Sequence, residues 1–152
     1  MFIFNILKNG FMKKIRPSLT LAFLEAREAL MTHFRPALND IGLTEQQWRI
    51  IRILSQQNPL ESTFLAEKAC ILKPSLTGII NRLTELGLVE RHKGKNDQRF
   101  VYIYLTEKGG EIFNKMSIEM EKRYQNIHQQ LGEDKVNQLL SLLDDVKALK
   151  IH

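Results

Sequence analysis

The stretch that decides the fold runs from residue 73 to residue 99 and reads KPSLTGIINRLTELGLVERHKGKNDQR. Its first half predicts a helix over 74–86, because Pro74 suits the first helical position and apolar residues recur every three or four positions. Those apolar residues are Leu76, Ile79, Ile80, Leu83 and Leu86. Gly87 is a typical helix stop. The opposite face of this helix is left polar.

The second half of the stretch changes to the period of a β-strand. Residues 88–91 predict a short strand, and residues 99–105 alternate apolar with aromatic side chains. The segment between them, 92–98, is polar, basic and rich in turn-forming residues. We therefore expect a β-hairpin with an exposed, charged tip directly after the helix.

Helices are predicted on both sides of this stretch. Residues 18–41 have the apolar spacing of an amphipathic helix, and Thr44 begins a capping box that opens the next one. A short helix follows over 62–70. After the hairpin, Thr106 caps a long helix, and a last helix begins after Gly132. The predicted order is therefore α-α-α-α-β-β-α-α.

Short helices followed by a strand pair with a basic tip form the order of a winged helix-turn-helix. A helix fits the major groove of DNA, where Asn81 can pair with adenine and Arg82 can bind guanine or a phosphate. The cations of the hairpin would contact phosphates or enter the minor groove, whereas Asp97 would fix the loop by pairing with Arg99. The predicted DNA-binding residues are Lys73, Pro74, Ser75, Thr77, Gly78, Asn81, Arg82, Arg91, Lys93, Lys95 and Arg99.

The charge distribution supports an anionic partner. Residues 73–99 hold six basic and three acidic residues, a net charge of +3 within a chain of net charge +5. The alternative is a solvated surface with uneven charge, which is the usual meaning of one polar helix face or one basic hairpin. Their arrangement in tandem within a single short stretch favours DNA.

The overall composition is that of a globular chain of 152 residues, 43% hydrophobic and 26% charged. No apolar run has the length of a membrane span, and the opening residues lack the basic leader and cleavage site of a signal peptide. The single cysteine, Cys70, excludes an intramolecular disulfide and fits a reducing cytoplasm. We expect residues 1–17 to form a flexible extension, with Met12 as a second plausible translation start.

An enzyme is not expected, and neither a metal nor a cofactor is predicted. His33, His92, His128 and His152 are scattered, and no catalytic pairing, metal-ligand spacing or phosphate-binding loop is present. Two other classes stay open: a regulator that responds to oxidation at Cys70, and an adaptor that binds protein. Cys70 lies in an apolar stretch, where a buried structural cysteine is the commoner case. A DNA affinity that does not fall steeply with salt would favour the adaptor.

The same stretch resembles the MarR family of transcriptional regulators. The resemblance covers essentially all of 18–150 and is carried by residues 72–77, 81–83, 86–91, 96–99 and 105–109. It implies a mainly α fold with a small β-wing, in which a winged helix-turn-helix lobe is joined to interlocking N- and C-terminal dimerisation helices. It assigns 44–105 to DNA binding, and 18–43 and 106–152 to dimerisation.

The resemblance also implies a function. It implies a homodimeric repressor on a pseudo-palindromic operator, with half-sites about one helical turn apart. Within the family, the most similar subgroup is the repressors of homoprotocatechuate (4-hydroxyphenylacetate) degradation, through residues 18–20, 25–29, 34–36, 43–50 and 70–79. That subgroup implies control of an aromatic-catabolic operon and release from DNA by an aromatic acid. Other phenolic effectors, such as hydroxycinnamates, are the alternative.

A pocket for an aromatic acid needs a cation for the carboxylate, aromatic walls and donors for phenol groups. The resemblance places it where the dimerisation helices meet the DNA-binding lobe. The candidates there are Arg16, Ser18, Arg27, His33, Trp48 and Arg49. Each also has a purely structural interpretation, since a tryptophan is more commonly part of a core and Arg27 can pair with Glu25 or Glu28.

Overall fold

The computed structural model describes residues 16–150, and its elements follow the predicted order with one addition. The elements of this range are α1 (Leu19–Asp40), α2 (Glu45–Gln56), β1 (Leu60–Glu61), α3 (Ser62–Ala69), α4 (Lys73–Glu85), β2 (Val89–Lys93), β3 (Val101–Leu105), α5 (Glu107–Leu131) and α6 (Glu133–Lys147). The predicted order omitted β1, because a two-residue strand is too short to show an alternating period. The second start at Met12 and all but the last two residues of the predicted extension lie outside the described residues.

The chain divides by its internal contacts into a unit that ends at Thr32 and a unit that begins at His33. In the first unit, the described residues contain the start of α1, where Ser18 Oγ accepts a hydrogen bond from the Leu21 backbone at 3.2 Å. Leu19, Leu21 and Leu24 are exposed in the single chain. This unit therefore presents a capped helix start with exposed leucines.

The core of the second unit forms where α2, α3, α4 and the sheet pack together. The largest fully buried side chains are Leu38, Ile50, Ile51, Leu54, Leu65, Ile80, Leu83, Leu88, Val89 and Ile103. Burying such a side chain contributes about 1.5–3 kcal/mol relative to leaving it in water. Because two of them belong to α4, this core fixes the position of that helix.

Local signals set the starts of α2 and α5. Thr44 Oγ1 accepts from the Gln47 backbone at 3.1 Å, and Gln47 Oε1 accepts from the Thr44 backbone at 3.0 Å. This is the predicted capping box, which satisfies two donors that the helix itself leaves without partners. Thr106 caps α5 in the predicted way, accepting from the Gly109 backbone at 3.0 Å.

The three strands form an antiparallel sheet in the order β1-β3-β2. The central strand, β3, pairs its buried Ile103 with Leu60 of β1 and with Arg91 of β2. β2 runs two residues further than predicted, to Lys93, and β3 begins two residues later than predicted, at Val101. Residues 94–100 therefore form the tip of the hairpin.

Cys70 lies at the surface, contrary to the expectation of a buried residue. It is the C-cap of α3 and has a left-handed backbone conformation, with φ of +51°. Its apolar neighbours Ala69 and Ile71 are both buried, which is why the local composition suggested burial. The expectation of a buried structural cysteine is therefore wrong, and burial does not protect this thiol.

Several apolar side chains of α6 are exposed in the single chain. No residue of α6 is buried, and Leu140 and Leu142 are 56% and 62% exposed. Surfaces of this kind commonly mark contacts with another subunit or partner. Within residues 16–150, no helix is both long enough and apolar enough to cross a membrane.

Candidate nucleic-acid interface

α4 has one buried face and one exposed face. Leu76, Ile80 and Leu83 are buried, on the side where α2, α3 and β2 pack. The exposed side holds the predicted DNA-binding residues Ser75, Thr77, Gly78, Asn81 and Arg82. A Cβ added at Gly78 would meet no atom within 4 Å. This face is therefore accessible to a partner along its length.

The helix begins one residue earlier than predicted. Lys73 is the first residue of α4 and Pro74 the second, and both are exposed. Either position tolerates proline, because the first backbone N–H groups of a helix have no partner within it. Gly87 follows the helix with φ of +73°, a left-handed conformation in which glycine has no Cβ penalty.

Arg82 is held along the surface of α4 in the absence of DNA. Its Nη1 lies 3.0 Å from Glu85 Oε2, and both side chains are well exposed. An exposed ion pair of this kind contributes little stability. The guanidinium can therefore leave Glu85 for a guanine edge or a phosphate at small cost.

The hairpin of β2 and β3, which we call the wing, has a tip fixed by Asp97. The Gly94 backbone donates to the Phe100 carbonyl at 2.9 Å and closes the turn. The predicted Asp97–Arg99 pair is present, with Arg99 Nε 3.1 Å from both carboxylate oxygens and Nη2 2.7 Å from Oδ2. Hydrogen bonds from the Arg99 side chain and backbone lower the pKa of Asp97 below its ordinary value. Asp97 therefore stays ionised and holds Arg99 in the loop.

The predicted cations of the wing are exposed. The Arg99 side chain is 88% exposed, and Arg91, Lys93 and Lys95 are exposed as well. The wing therefore concentrates positive charge on one protrusion beside α4. Such an arrangement suits the phosphate backbone, because charge neutralisation releases condensed counterions from DNA.

A cleft of about 300 Å³ lies between α3, α4 and the sheet. Lys73 and Thr77 line it from α4, Arg91 from β2, and Ser62 and Thr63 from α3. Lys73 and Arg91 are far apart in the sequence, yet they face the same concave surface. The start of α4 and the base of the wing thus each contribute one cation to the same cleft, whose floor is apolar.

If α4 reads base edges as the sequence predicts, Asn81→Ala should weaken binding to the operator and leave binding to random DNA unchanged. A bidentate contact between asparagine and adenine is worth about 1–3 kcal/mol of discrimination, which is about 5- to 150-fold in affinity. Fluorescence anisotropy on an operator duplex and a random duplex measures both. The matched control is Asn114→Ala on α5, where the asparagine is also exposed. Equal losses on the two duplexes would show that Asn81 contacts only the backbone.

The six predicted effector residues are divided between the two units. Arg16, Ser18 and Arg27 lie in the first. Arg16 is exposed, and Ser18 caps the first turn of α1. Arg27 Nη1 lies 2.9 Å from Glu28 Oε1, so the expected pairing with a neighbouring carboxylate is present.

His33, Trp48 and Arg49 belong to the second unit. Trp48 is 8% exposed and stacks on Phe113 with ring centroids 5.6 Å apart. Arg49 Nη1 donates to the Ala69 carbonyl at 2.7 Å, at the end of α3. His33 is half-buried. A role in effector binding stays a prediction for all six residues.

A cavity beside α2, α5 and α6 brings together two further residues, Arg52 and Tyr124. It has a volume of about 750 Å³ and is also lined by Glu121, Gln125, His128, Gln129 and Leu140. Arg52 Nη1 donates to the Tyr124 hydroxyl at 3.1 Å, and the guanidinium carbon lies 5.8 Å from the ring centroid. Sequence reasoning missed this pair. The one signal in the sequence was that Arg52 lies four residues after Trp48, one helical turn on.

Residues 43–101, from the end of the α1–α2 connection to the start of β3, match the MarR family. The similarity to named relatives extends further. The chain is 48% identical to the homoprotocatechuate degradative operon repressor of Escherichia coli over 132 residues, which cover 87% of this chain and 89% of that protein. The chain belongs to the MarR family.

Solved structures are also similar to this MarR family member. The transcriptional regulator PA4135 is 57% identical, with a TM-score of 0.87 over 90% of this chain and 100% of the other. NadR in complex with 4-hydroxyphenylacetate is 43% identical, with a TM-score of 0.80 over 93% of this chain and 100% of the other. The chain is therefore a MarR family transcriptional regulator with the winged helix-turn-helix fold. The family resemblance and the fold predicted from the sequence are both confirmed. In the described range 16–150, no group of three or more His, Cys, Asp or Glu side chains could hold a metal ion.

Proposed function

We propose that this regulator represses an operon for the degradation of an aromatic acid, and that the acid releases it from operator DNA. The proposal that an aromatic acid is the effector rests on the Arg52–Tyr124 pair and the cavity that it lines. A guanidinium and a phenol ring side by side are what an aromatic carboxylate needs. The similarity to the homoprotocatechuate repressor and to NadR with 4-hydroxyphenylacetate supports this ligand class.

The DNA-binding part rests on α4 and the wing. The exposed face of α4 reads base edges in the major groove, with Asn81 and Arg82 as the readers. Lys93, Lys95 and Arg99 bind phosphates or enter the minor groove. Lys73 and Arg91 extend the backbone contact along their common cleft, while Asp97 keeps Arg99 in position. The protein acts in the cytoplasm, where its operator lies.

The exposed apolar surfaces support a homodimer. The leucines of α6 and, in the first unit, those at the start of α1 would be covered by a second copy. Two-fold symmetry would place two copies of α4 in successive major grooves, about 34–36 Å apart. The operator is then a pseudo-palindrome whose half-sites lie about one helical turn apart.

The effector acts through its charge and its ring. Its carboxylate binds Arg52, its ring lies against Tyr124, and polar lining residues such as His128 and Gln125 serve its phenol hydroxyls. Binding releases the operator only if the ligand prefers the arrangement of the dimer that does not fit DNA. The size of the release is therefore limited by the difference between the two affinities of the ligand.

Arg52→Met should lower the affinity for 4-hydroxyphenylacetate about 10-fold or more. A hydrogen bond to a charged group contributes about 1.5–3 kcal/mol, and methionine keeps most of the volume while losing the charge. Arg52 is not on α4 or the wing, so operator affinity without ligand should stay within about 2-fold. Calorimetry measures the ligand affinity, and anisotropy on an operator duplex measures the operator affinity with and without ligand.

The matched control is Arg49→Met on the same helix. Arg49 donates to the Ala69 carbonyl, so its loss should lower thermal stability. Arg49 is itself one of the six predicted effector residues, so unchanged ligand affinity in this variant is expected only if the ligand binds at Arg52 instead. Loss of ligand affinity in the Arg49 variant alone would place the site at the residues expected from the sequence. Full ligand affinity in the Arg52 variant would contradict the proposed site.

A further inference from the structure

The end of α4 is joined to the start of α5 by three consecutive hydrogen bonds. Lys108 Nζ donates to the Leu86 carbonyl at 2.8 Å, and Thr106 Oγ1 donates to the Gly87 carbonyl at 2.7 Å. The Thr106 backbone N–H donates to the Leu88 carbonyl at 3.1 Å. The carbonyls of residues 86–88, which directly follow α4, thus all accept hydrogen bonds from Thr106 and Lys108 at the start of α5.

Helix ends need such partners. The last carbonyls of an α-helix have no donor within the helix, and this end carries a partial negative charge. The Lys108 ammonium supplies both a donor and a positive charge at the C-cap of α4, which is Leu86. Gly87 has no side chain, and the stem of Lys108 lies within 4 Å of the position a Cβ would take there.

The same residues also fix the start of α5. Thr106 Oγ1 donates to Gly87 while it accepts from the Gly109 backbone at 3.0 Å, so one hydroxyl serves both helices. Gly109 lies against the Leu88 carbonyl, so closely that a Cβ at Gly109 would be 2.3 Å from its oxygen. Residues 86–88 after α4 and residues 106–109 at the start of α5 therefore form one tightly packed contact, which we call the α4–α5 joint.

We propose that Lys108 and Thr106 are positioning residues for DNA recognition. The core holds the buried face of α4, and these two residues set the position of its C-terminal end relative to α5. They thereby determine how closely Asn81 and Arg82 align with the base edges. Lys108 thereby has a role distinct from that of the wing cations, although it is also an exposed lysine beside the recognition helix. This inference rests on the proposed reading of bases by α4.

The test is Lys108→Met in the full-length protein, with operator and random duplexes measured over a range of salt concentrations. The loss of one hydrogen bond at the joint should weaken operator binding about 5- to 10-fold. Affinity for random DNA should stay within about 2-fold, and the salt dependence should not change, because every phosphate contact is kept. Lys108→Arg, which can still donate to the Leu86 carbonyl, should restore operator affinity to within about 2-fold.

The control is Lys115→Met, which removes the same charge from an exposed position further along α5 and should change none of these quantities. Equal losses on both duplexes with a weaker salt dependence would make Lys108 a phosphate contact and overturn the proposal. Unchanged operator affinity in Lys108→Met would also overturn it. If the wild-type protein itself bound duplex DNA independently of salt, the proposed function would fail instead.

Discussion

Replacing Lys93, Lys95 and Arg99 together by alanine should lower DNA affinity at least about 100-fold at physiological salt, on operator and random duplexes alike. Each phosphate contact releases counterions, so the slope of log affinity against log salt should fall by about 0.9 for each phosphate that the variant no longer neutralises. The loss should not depend on sequence, because backbone contacts carry no base information. Arg99→Ala alone should show the same pattern on a smaller scale, because it removes one cation of the three. It also leaves the Asp97 carboxylate unpaired beside the phosphates.

The control for this triple variant removes three cations elsewhere. Lys115, Lys122 and Lys150 are exposed, on α5 or after α6, and their replacement by alanine changes the net charge by the same amount. Affinity and salt dependence should stay near the wild-type values in this control. If both triple variants lost equal affinity, total charge rather than contact with the wing would explain binding.

Gly109→Ala should have the largest effect on stability. The added Cβ would lie 2.3 Å from the Leu88 carbonyl oxygen and 2.7 Å from Leu105 Cδ1. The first neighbour is backbone and cannot rotate away, so the joint between α4 and α5 must open. Overpacking of this kind costs about 3 kcal/mol. The melting temperature, followed by circular dichroism, should fall by about 6–12 °C.

The adjacent glycine provides a matched control. A Cβ at Gly110 would have no neighbour within 4 Å, and alanine is favoured over glycine inside a helix by up to about 1 kcal/mol. Gly110→Ala should therefore keep or slightly raise the melting temperature. Equal melting temperatures for the two variants would mean that the close contact at Gly109 carries no energetic penalty.

The fold around α4 could be predicted because its signals are local. Pro74 and Gly87 mark the ends of the helix, and the change of period marks the hairpin. β1 could not be predicted, since it consists of two residues that become a strand only by pairing with β3. The surface position of Cys70 was missed for a similar reason, because it depends on a left-handed helix end rather than on neighbouring residues.

The candidate sites show the same division. The exposed face of α4 and the Asp97–Arg99 pair involve residues close in sequence, so residue type and spacing were enough to suggest them. Arg52 and Tyr124 are 72 residues apart, and their contact depends on how α2 packs against α5. Lys108 likewise reaches back 22 residues to the Leu86 carbonyl. Such pairings carry no local pattern.

The proposed recognition of DNA through α4 and the wing is tested most directly by selection from a random duplex library with the wild-type protein. The affinity of the most enriched duplex is then measured by titration. We predict a pseudo-palindrome with half-sites about one helical turn apart, bound by two copies of the chain. Affinity should fall about 1,000-fold or more between about 50 and 200 mM salt. Failure to enrich any sequence, or an affinity that does not change with salt, would contradict recognition through α4 and the wing.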